Sequence, residues 1–225
     1  KIFLEEPSFE LVKLLGQDLD QRVEAAASLN ASLAEGWREI RRYLGEEAQD
    51  PRTMQEKLED EYIRLFIGPF EPEIYPYESY YLMGKLFGSP LVWVKGFLKR
   101  VGLEKSETYH ETEDHIAFAF EVMRQLILKQ EGAKDPDGET KWLNFQGDLL
   151  KAHLLKWVPR LCDDLGKAKS ANFYRGIAKL TRGFLELEKE LLADWGSAGP
   201  PHIVKVKEPE WKGPLFQIEE GPPSG

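Results

Sequence analysis

The sequence predicts an all-α fold, and three observations carry that reading. Apolar residues recur at steps of three and four through most of the chain, the stripe that a core-facing helix needs. Helix-start signals punctuate it: Ser8 before Phe9, Asp50-Pro51, and Ser89-Pro90. No stretch alternates apolar and polar residues for long enough to argue a strand. These rules give one globular helical domain of roughly eight helices. It spans residues 1–196, and a Pro-rich, non-helical tail follows over 197–225.

Taken in order, Ser8 caps a short helix to Leu15, with Phe9, Val12 and Leu15 on one face. A second helix runs from about Asp20 to Leu44 on Val23, Ala26, Leu29, Leu33, Trp37 and Ile40. Asp50-Pro51 opens a third, and Thr53 to Glu56 has the pattern of a capping box. That helix is expected to reach Gly68, with Leu58, Tyr62, Leu65 and Phe66 inward and Pro69 ending it. Pro69 to Tyr77 cannot be helix, because Pro69, Pro72 and Pro76 each push the preceding residue toward extended geometry. Its aromatic and apolar residues Phe70, Ile74, Tyr75 and Tyr77 suggest a loop tied to a surface or lining a groove. Helices follow at about 79–87 and 89–101. Thr112 is the expected cap of a helix to Gln130. After a polar turn, a helix from about Thr140 to Leu165 should kink at Pro159. The last helix runs from about Ser170 to Trp195. The tail holds six of the 14 prolines, yet keeps Ile203, Val204, Val206, Trp211, Leu215, Phe216 and Ile218. It reads as an arm packed back on the helical body, or as a cover over a binding groove.

Composition narrows the function. The 225 residues hold 30 Lys and Arg against 39 Asp and Glu, a net charge of -9. That balance argues against a nucleic-acid partner, which needs clustered cations. It suits a basic peptide, because opposite fields speed encounter. The single cysteine, Cys162, excludes an internal disulfide and a Cys-rich metal site. No apolar run has the ~20 residues that span a bilayer, and the start carries no signal-peptide pattern. The expected compartment is therefore the cytoplasm.

Catalytic chemistry finds little support. His110 and His115 bracket acidic residues in the manner of a zinc-protease helix, but they stand five apart. On a helix that turns them about 140° from each other, whereas the metal needs a four-residue step on one face. A metal site built from Asp114, His115 and His153 is the enzymatic alternative, a helical metal-dependent hydrolase. No phosphate loop or nucleophile elbow is present, and no cofactor is expected. Two clusters stand out instead. One runs from Glu61 to Pro69 and on through Tyr75-Pro76-Tyr77-Glu78-Ser79-Tyr80-Tyr81. The other is Glu111-Thr112-Glu113-Asp114-His115. Near a helix start, Asp114 gains from the helix dipole, and His115 beside it is expected to titrate near neutral pH.

Arranged in this order, the clusters resemble the TorD/DmsD group of redox-enzyme maturation chaperones, with its NarJ-type relatives. The matching elements are Tyr62, Leu65, Phe66, Gly68 and Pro69, then Pro76 to Ser79. Glu111 to His115 follows, with Thr112 where the group carries Pro, and then His153-Leu154-x-x-Trp157-x-Pro159 and Asn172-Phe173-Tyr174. The resemblance implies a non-enzymatic, cytoplasmic chaperone. It would bind the twin-arginine signal peptide and apo-form of a molybdopterin-containing oxidoreductase subunit of the dimethyl sulfoxide reductase type. It would assist cofactor insertion and prevent premature export. A NarJ-like factor for a non-exported reductase subunit is the alternative. Monomers or domain-swapped homodimers are both expected of such proteins. Carboxylates would pair with the leader's arginines and an aromatic groove would take its apolar part. The implied peptide-binding residues are Tyr75, Tyr77, Glu78, Tyr81, Glu111, Glu113, Asp114, His115 and Trp157, with Phe70 a further aromatic candidate.

Overall fold

The computed structural model describes residues 1–46, 50–198 and 218–220. Ten α-helices are described: α1 Phe9–Leu15, α2 Leu19–Leu29, α3 Ala31–Glu46, α4 Pro51–Tyr62, α5 Glu78–Met83, α6 Ser89–Val101, α7 Ile116–Glu131, α8 Pro136–Leu149, α9 Leu155–Lys167 and α10 Phe173–Ala198. The all-α expectation holds. Two π-helical turns, Ile63–Ile67 and Leu150–Leu154, extend α4 and lead into α9. Strands β1, Leu103–Lys105, and β2, Ile218–Glu220, pair antiparallel. Three residues are too few for a period-two pattern to show, so periodicity does not reveal β1. The rest of the proline-rich tail beyond residue 198 lies outside the described residues.

The chain gathers into two compact units. The first is Lys1–Pro76 with Trp157–Glu188, and the second is Tyr77–Lys156 with the described chain after Glu188.

In the first unit the caps decide the helix ends. Ser8 Oγ accepts from Leu11 N at 3.3 Å, as its spacing predicts. The long helix expected over 20–44 is two helices. Asn30 is extended, and its Oδ1 accepts from Ser32 N and Leu33 N at 2.7 and 3.2 Å, so the side chain restarts the helix as α3. Asp50 caps α4 through the amides of Arg52 and Thr53, and Thr53 donates its own hydroxyl to Asp50 rather than forming the expected box. Where α4 gives way to the π-turn, Gly68 stops it in the left-handed region at φ 64°. A Cβ at Gly68 would sit 2.1 Å from the Glu71 carbonyl oxygen, so this turn admits glycine alone.

α3 and α10 cross backbone to backbone. A Cβ on Gly36 would lie 2.8 Å from Leu180 N, and one on Gly183 would lie 2.6 Å from Leu33 N. The N-terminus of α10 is satisfied by buried Glu61, whose carboxylate accepts from the amides of Asn172, Phe173 and Tyr174 at 2.8, 3.1 and 2.8 Å. Burial nevertheless raises the Glu61 pKa, against the pull of those three amides. Around it Phe3, Tyr62, Phe66 and Tyr174 pack at ring distances of 5.1 to 6.5 Å. Family-pattern residues Tyr62, Leu65 and Phe66 therefore serve the core.

The second unit is built on α5 to α8. Phe97, Leu98, Ile116, Phe118, Met123, Leu126, Leu149 and Leu150 are buried there. α5 is shorter than its expected 79–87 span, because Gly84 turns left-handed at φ 70°. α8 begins at Pro136 behind the Asp135 cap, four residues before its expected start. The regular helix then fails at 150–154, ahead of Pro159. Pro159 lies beyond the π-turn, inside regular α9, although the expected irregularity is at the proline itself.

Candidate functional site

The second unit brings most of the singled-out residues to one place. The chain enters it at Tyr77, which bridges His115 across an antiparallel pair. Glu78 N donates to the Asp114 carbonyl at 2.9 Å. These backbone bonds lay the start of α5 against the acidic loop 104–115.

Side chains then lock the junction. Asp114 is buried, with one carboxylate oxygen accepting from Ser79 N at 3.1 Å and from the Ser79 hydroxyl. Its other oxygen takes the Thr112 hydroxyl at 2.6 Å. Thr112 thus serves Asp114, and the true cap of α7 is His115. Its Nδ1 accepts from Ala117 N at 3.2 Å and meets the Tyr109 hydroxyl at 3.4 Å. An Nδ1 that accepts is unprotonated, and burial pushes the imidazole down to about 3, against Asp114's opposing charge. The expected near-neutral titration of His115 is therefore corrected: desolvation outweighs the neighbouring carboxylate. Burial also raises the Tyr109 phenol, with Glu111 adding to the shift.

A second fastener is Glu78 with His153. Both are buried, and His153 Nδ1 lies 3.1 and 3.0 Å from the two Glu78 oxygens. The Phe97 ring stands edge-on to the His153 ring at 5.7 Å. Ser79 and His153, marked as pattern residues, thus both hold the network at the N-terminal end of α5.

The loop's remaining acids differ in exposure, from buried Glu113 to exposed Glu104 and Glu107. Half-buried Glu111 accepts the Tyr77 hydroxyl at 2.5 Å through Oε2, and its backbone carbonyl takes Lys105 Nζ at 3.0 Å. Glu113 lies 3.5 Å from Lys95 of α6, with its side chain 11% exposed. Glu104 and Glu107 are exposed. Along α5 and α6, Met83, Phe87, Val92 and Trp93 are 47–73% exposed. Phe87 is held at φ 59°, in the left-handed region that bulky residues avoid. The sequence reading missed this apolar face and the roles of Lys95, Lys105 and Tyr109. The Val92-Trp93 pair on α6 was the only signal, and helical spacing does not mark it as outward-facing.

The other candidates are spread over both units. Half-buried Tyr81 follows on α5, its ring 5.7 Å from that of Tyr80. Tyr75, Pro76, Trp157 and Pro159 belong to the first unit. There Trp157 is fully buried, Tyr75 is half-buried and Phe70 is 98% exposed. Glu73 fastens the proline-rich loop by accepting from Lys169 N, Ser170 N and the Ser170 hydroxyl.

The arrangement offers carboxylate acceptors held by hydroxyl and amide donors. Burial pushes the Cys162 thiol up to about 12, which removes it as a nucleophile near neutral pH. Among the described residues no group of three or more His, Cys, Asp or Glu is placed to hold a metal ion. No helix among them is long and apolar enough to cross a membrane.

Comparison with known proteins agrees with this picture. The sequence model of the nitrate reductase delta subunit family matches residues 26–163, which contain the whole network. A chaperone protein TorD of Vibrio cholerae is 25% identical over 145 residues, covering 64% of this chain and 66% of its own. A TorD of Aeromonas salmonicida is 28% identical over 129 residues, covering 57% and 58%. A probable Tat proofreading chaperone DmsD of Haemophilus influenzae is 28% identical over 132 residues, covering 58% and 59%. The chain spans a little under two thirds of the length of these relatives. They are named as chaperones and not as enzymes. No solved structure matches the chain.

Proposed function

The chain belongs to the nitrate reductase delta subunit family, and from that premise we propose that it is a cytoplasmic maturation chaperone for a molybdopterin-containing oxidoreductase. It binds the twin-arginine leader and apo-form of the catalytic subunit, aids cofactor insertion and delays export. A dimethyl sulfoxide reductase-type subunit is the proposed client.

One observation carries the reading. An acidic loop, 104–114, is held against the start of α5 by its own buried Asp114 on Ser79 and by Glu78 N on the Asp114 carbonyl, while the Glu78 carboxylate is held in turn by His153. The pinned loop holds Glu111 at the surface with Oε2 on the Tyr77 hydroxyl, while Oε1 has no hydrogen-bond partner among the described residues. A fixed carboxylate with acceptor capacity left over suits a guanidinium, which forks onto such oxygens. The exposed face of Met83, Phe87, Val92 and Trp93 is in the same unit and supplies apolar surface for the stretch that follows the arginines. In this role Asp114, Glu78, His115 and His153 position the loop, while Glu111, Glu113, Tyr77 and Tyr81 form its contact side.

Calorimetric titration with a synthetic twin-arginine leader tests the proposal. Binding at micromolar Kd or tighter is expected, lost with an Ala-Ala control and weakened about 3- to 30-fold by Glu111→Gln. A leader that binds equally well with both arginines replaced overturns it. The family is described by a nitrate reductase subunit, and a second reading is assembly of a reductase subunit that is not exported. Binding to the apo-subunit with none to any leader would select it.

A further inference from the structure

The acidic loop has a second neighbour. β1, Leu103–Lys105, leads directly into it, and β2, Ile218–Glu220, pairs with β1 from the far end of the sequence. Lys105 ties β1 to the site twice. Its Nζ donates to the Glu111 carbonyl at 3.0 Å, and the ammonium lies 5.9 Å from the centre of the Tyr109 ring. The Tyr109 hydroxyl in turn meets His115. A backbone laid along β1 therefore runs beside the loop that presents Glu111.

The tail segment is a poor occupant of that track. It pairs over three residues, a short ladder. Its register sets Glu104 opposite Glu219, and like charges directly opposite one another destabilise an antiparallel pair. A cation at the position of Glu219 would turn that opposition into attraction.

We infer that β1 is a docking edge for an extended, basic peptide, that Ile218–Glu220 fills it in the resting chain, and that the arginine-bearing part of the leader binds by adding to β1 in the tail's place. The inference rests on the leader reading above and adds a backbone mode of recognition to it: ladder hydrogen bonds supply affinity, while Glu104 and Glu111 supply the preference for cations. The tail then lowers apparent affinity by the fraction of molecules whose edge it holds.

Full-length variants test this. Glu219→Pro, and separately Ile218→Pro with Glu220→Pro, remove the tail's pairing at both alternating positions of the ladder. Glu219→Lys improves the tail's match to Glu104. Each is titrated with the synthetic twin-arginine leader, and β1 amide exchange is followed in the proline variants. At least one proline variant should bind more tightly, by about tenfold if the tail holds the edge in nine molecules of ten. Glu219→Lys should bind more weakly than the parent, and bound leader should protect the β1 amides that face the tail's edge, either Glu104 alone or Leu103 together with Lys105. Equal affinity in the parent and all variants, or binding that leaves β1 unprotected, overturns the inference and leaves the leader reading standing. Absence of binding in every variant overturns the leader reading, and the inference falls with it.

Discussion

Asp114 and His115 are neighbours in sequence and do different work. Asp114 gathers Ser79 N, the Ser79 hydroxyl and the Thr112 hydroxyl in a buried setting. Removing its carboxylate leaves a buried amide and two hydroxyls unserved, at about 1–3 kcal/mol for an orphaned group. Asp114→Ala is therefore expected to cost about 2–4 kcal/mol in urea unfolding, with Asp114→Asn less severe. A cost below about 0.5 kcal/mol would mean that water replaces the carboxylate. His115 makes a pH prediction whose sign follows from its lowered folded pKa. The unfolded imidazole binds a proton near pH 6.5, and the folded one resists until about 3. Between those values the unfolded state holds more protons, so stability falls as pH falls. His115→Asn keeps an N-cap oxygen and removes the proton. Its unfolding free energy should lose less between pH 7 and 4 than the parent's. Parallel pH profiles would show that the imidazole titrates alike in both states.

Helix ends and irregular turns set the element scale. Asn30 divides one apolar stripe into α2 and α3 because its side chain serves two amides that a continuous helix would have bonded internally. The stripe itself continues across the break, so periodicity could not reveal it. Gly68 is the sharper case. Its left-handed φ and the 2.1 Å approach to Glu71 leave no room for a Cβ. Gly68→Ala should lower stability by more than about 2 kcal/mol, read as a fall in Tm. An unchanged Tm would show that the turn relaxes freely. Pro159 shows how far a local rule reaches. The helix is irregular over Leu150–Leu154 and not at Pro159, which continues in regular helix with its carbonyl accepting from Arg182 at 2.9 Å.

At the scale of the whole molecule, charge sets how a partner is met. In the proposed role, the net charge of -9 would draw a basic leader over the Debye length, about 10 Å at 0.1 M salt. Leader affinity should fall several-fold between 0.05 and 0.5 M NaCl, mostly through association rate. A salt-independent Kd would place the binding on apolar contacts alone. The sequence by itself determined the all-α class, most helix starts and the family pattern. These depend on spacing and on capping residues within one turn, both of which are local. It also singled out stretches that the fold brings together, since Tyr77–Ser79, Glu111–His115 and His153 meet in one unit. Only tertiary structure decided their division of labour. Whether a carboxylate is a fastener or a free acceptor depends on which donors arrive from residues 35 or 75 positions away, as Ser79 does for Asp114 and His153 for Glu78. The same holds for His115, whose titration is set by burial that no neighbouring residue discloses, and for β1, whose partner strand lies more than a hundred residues downstream.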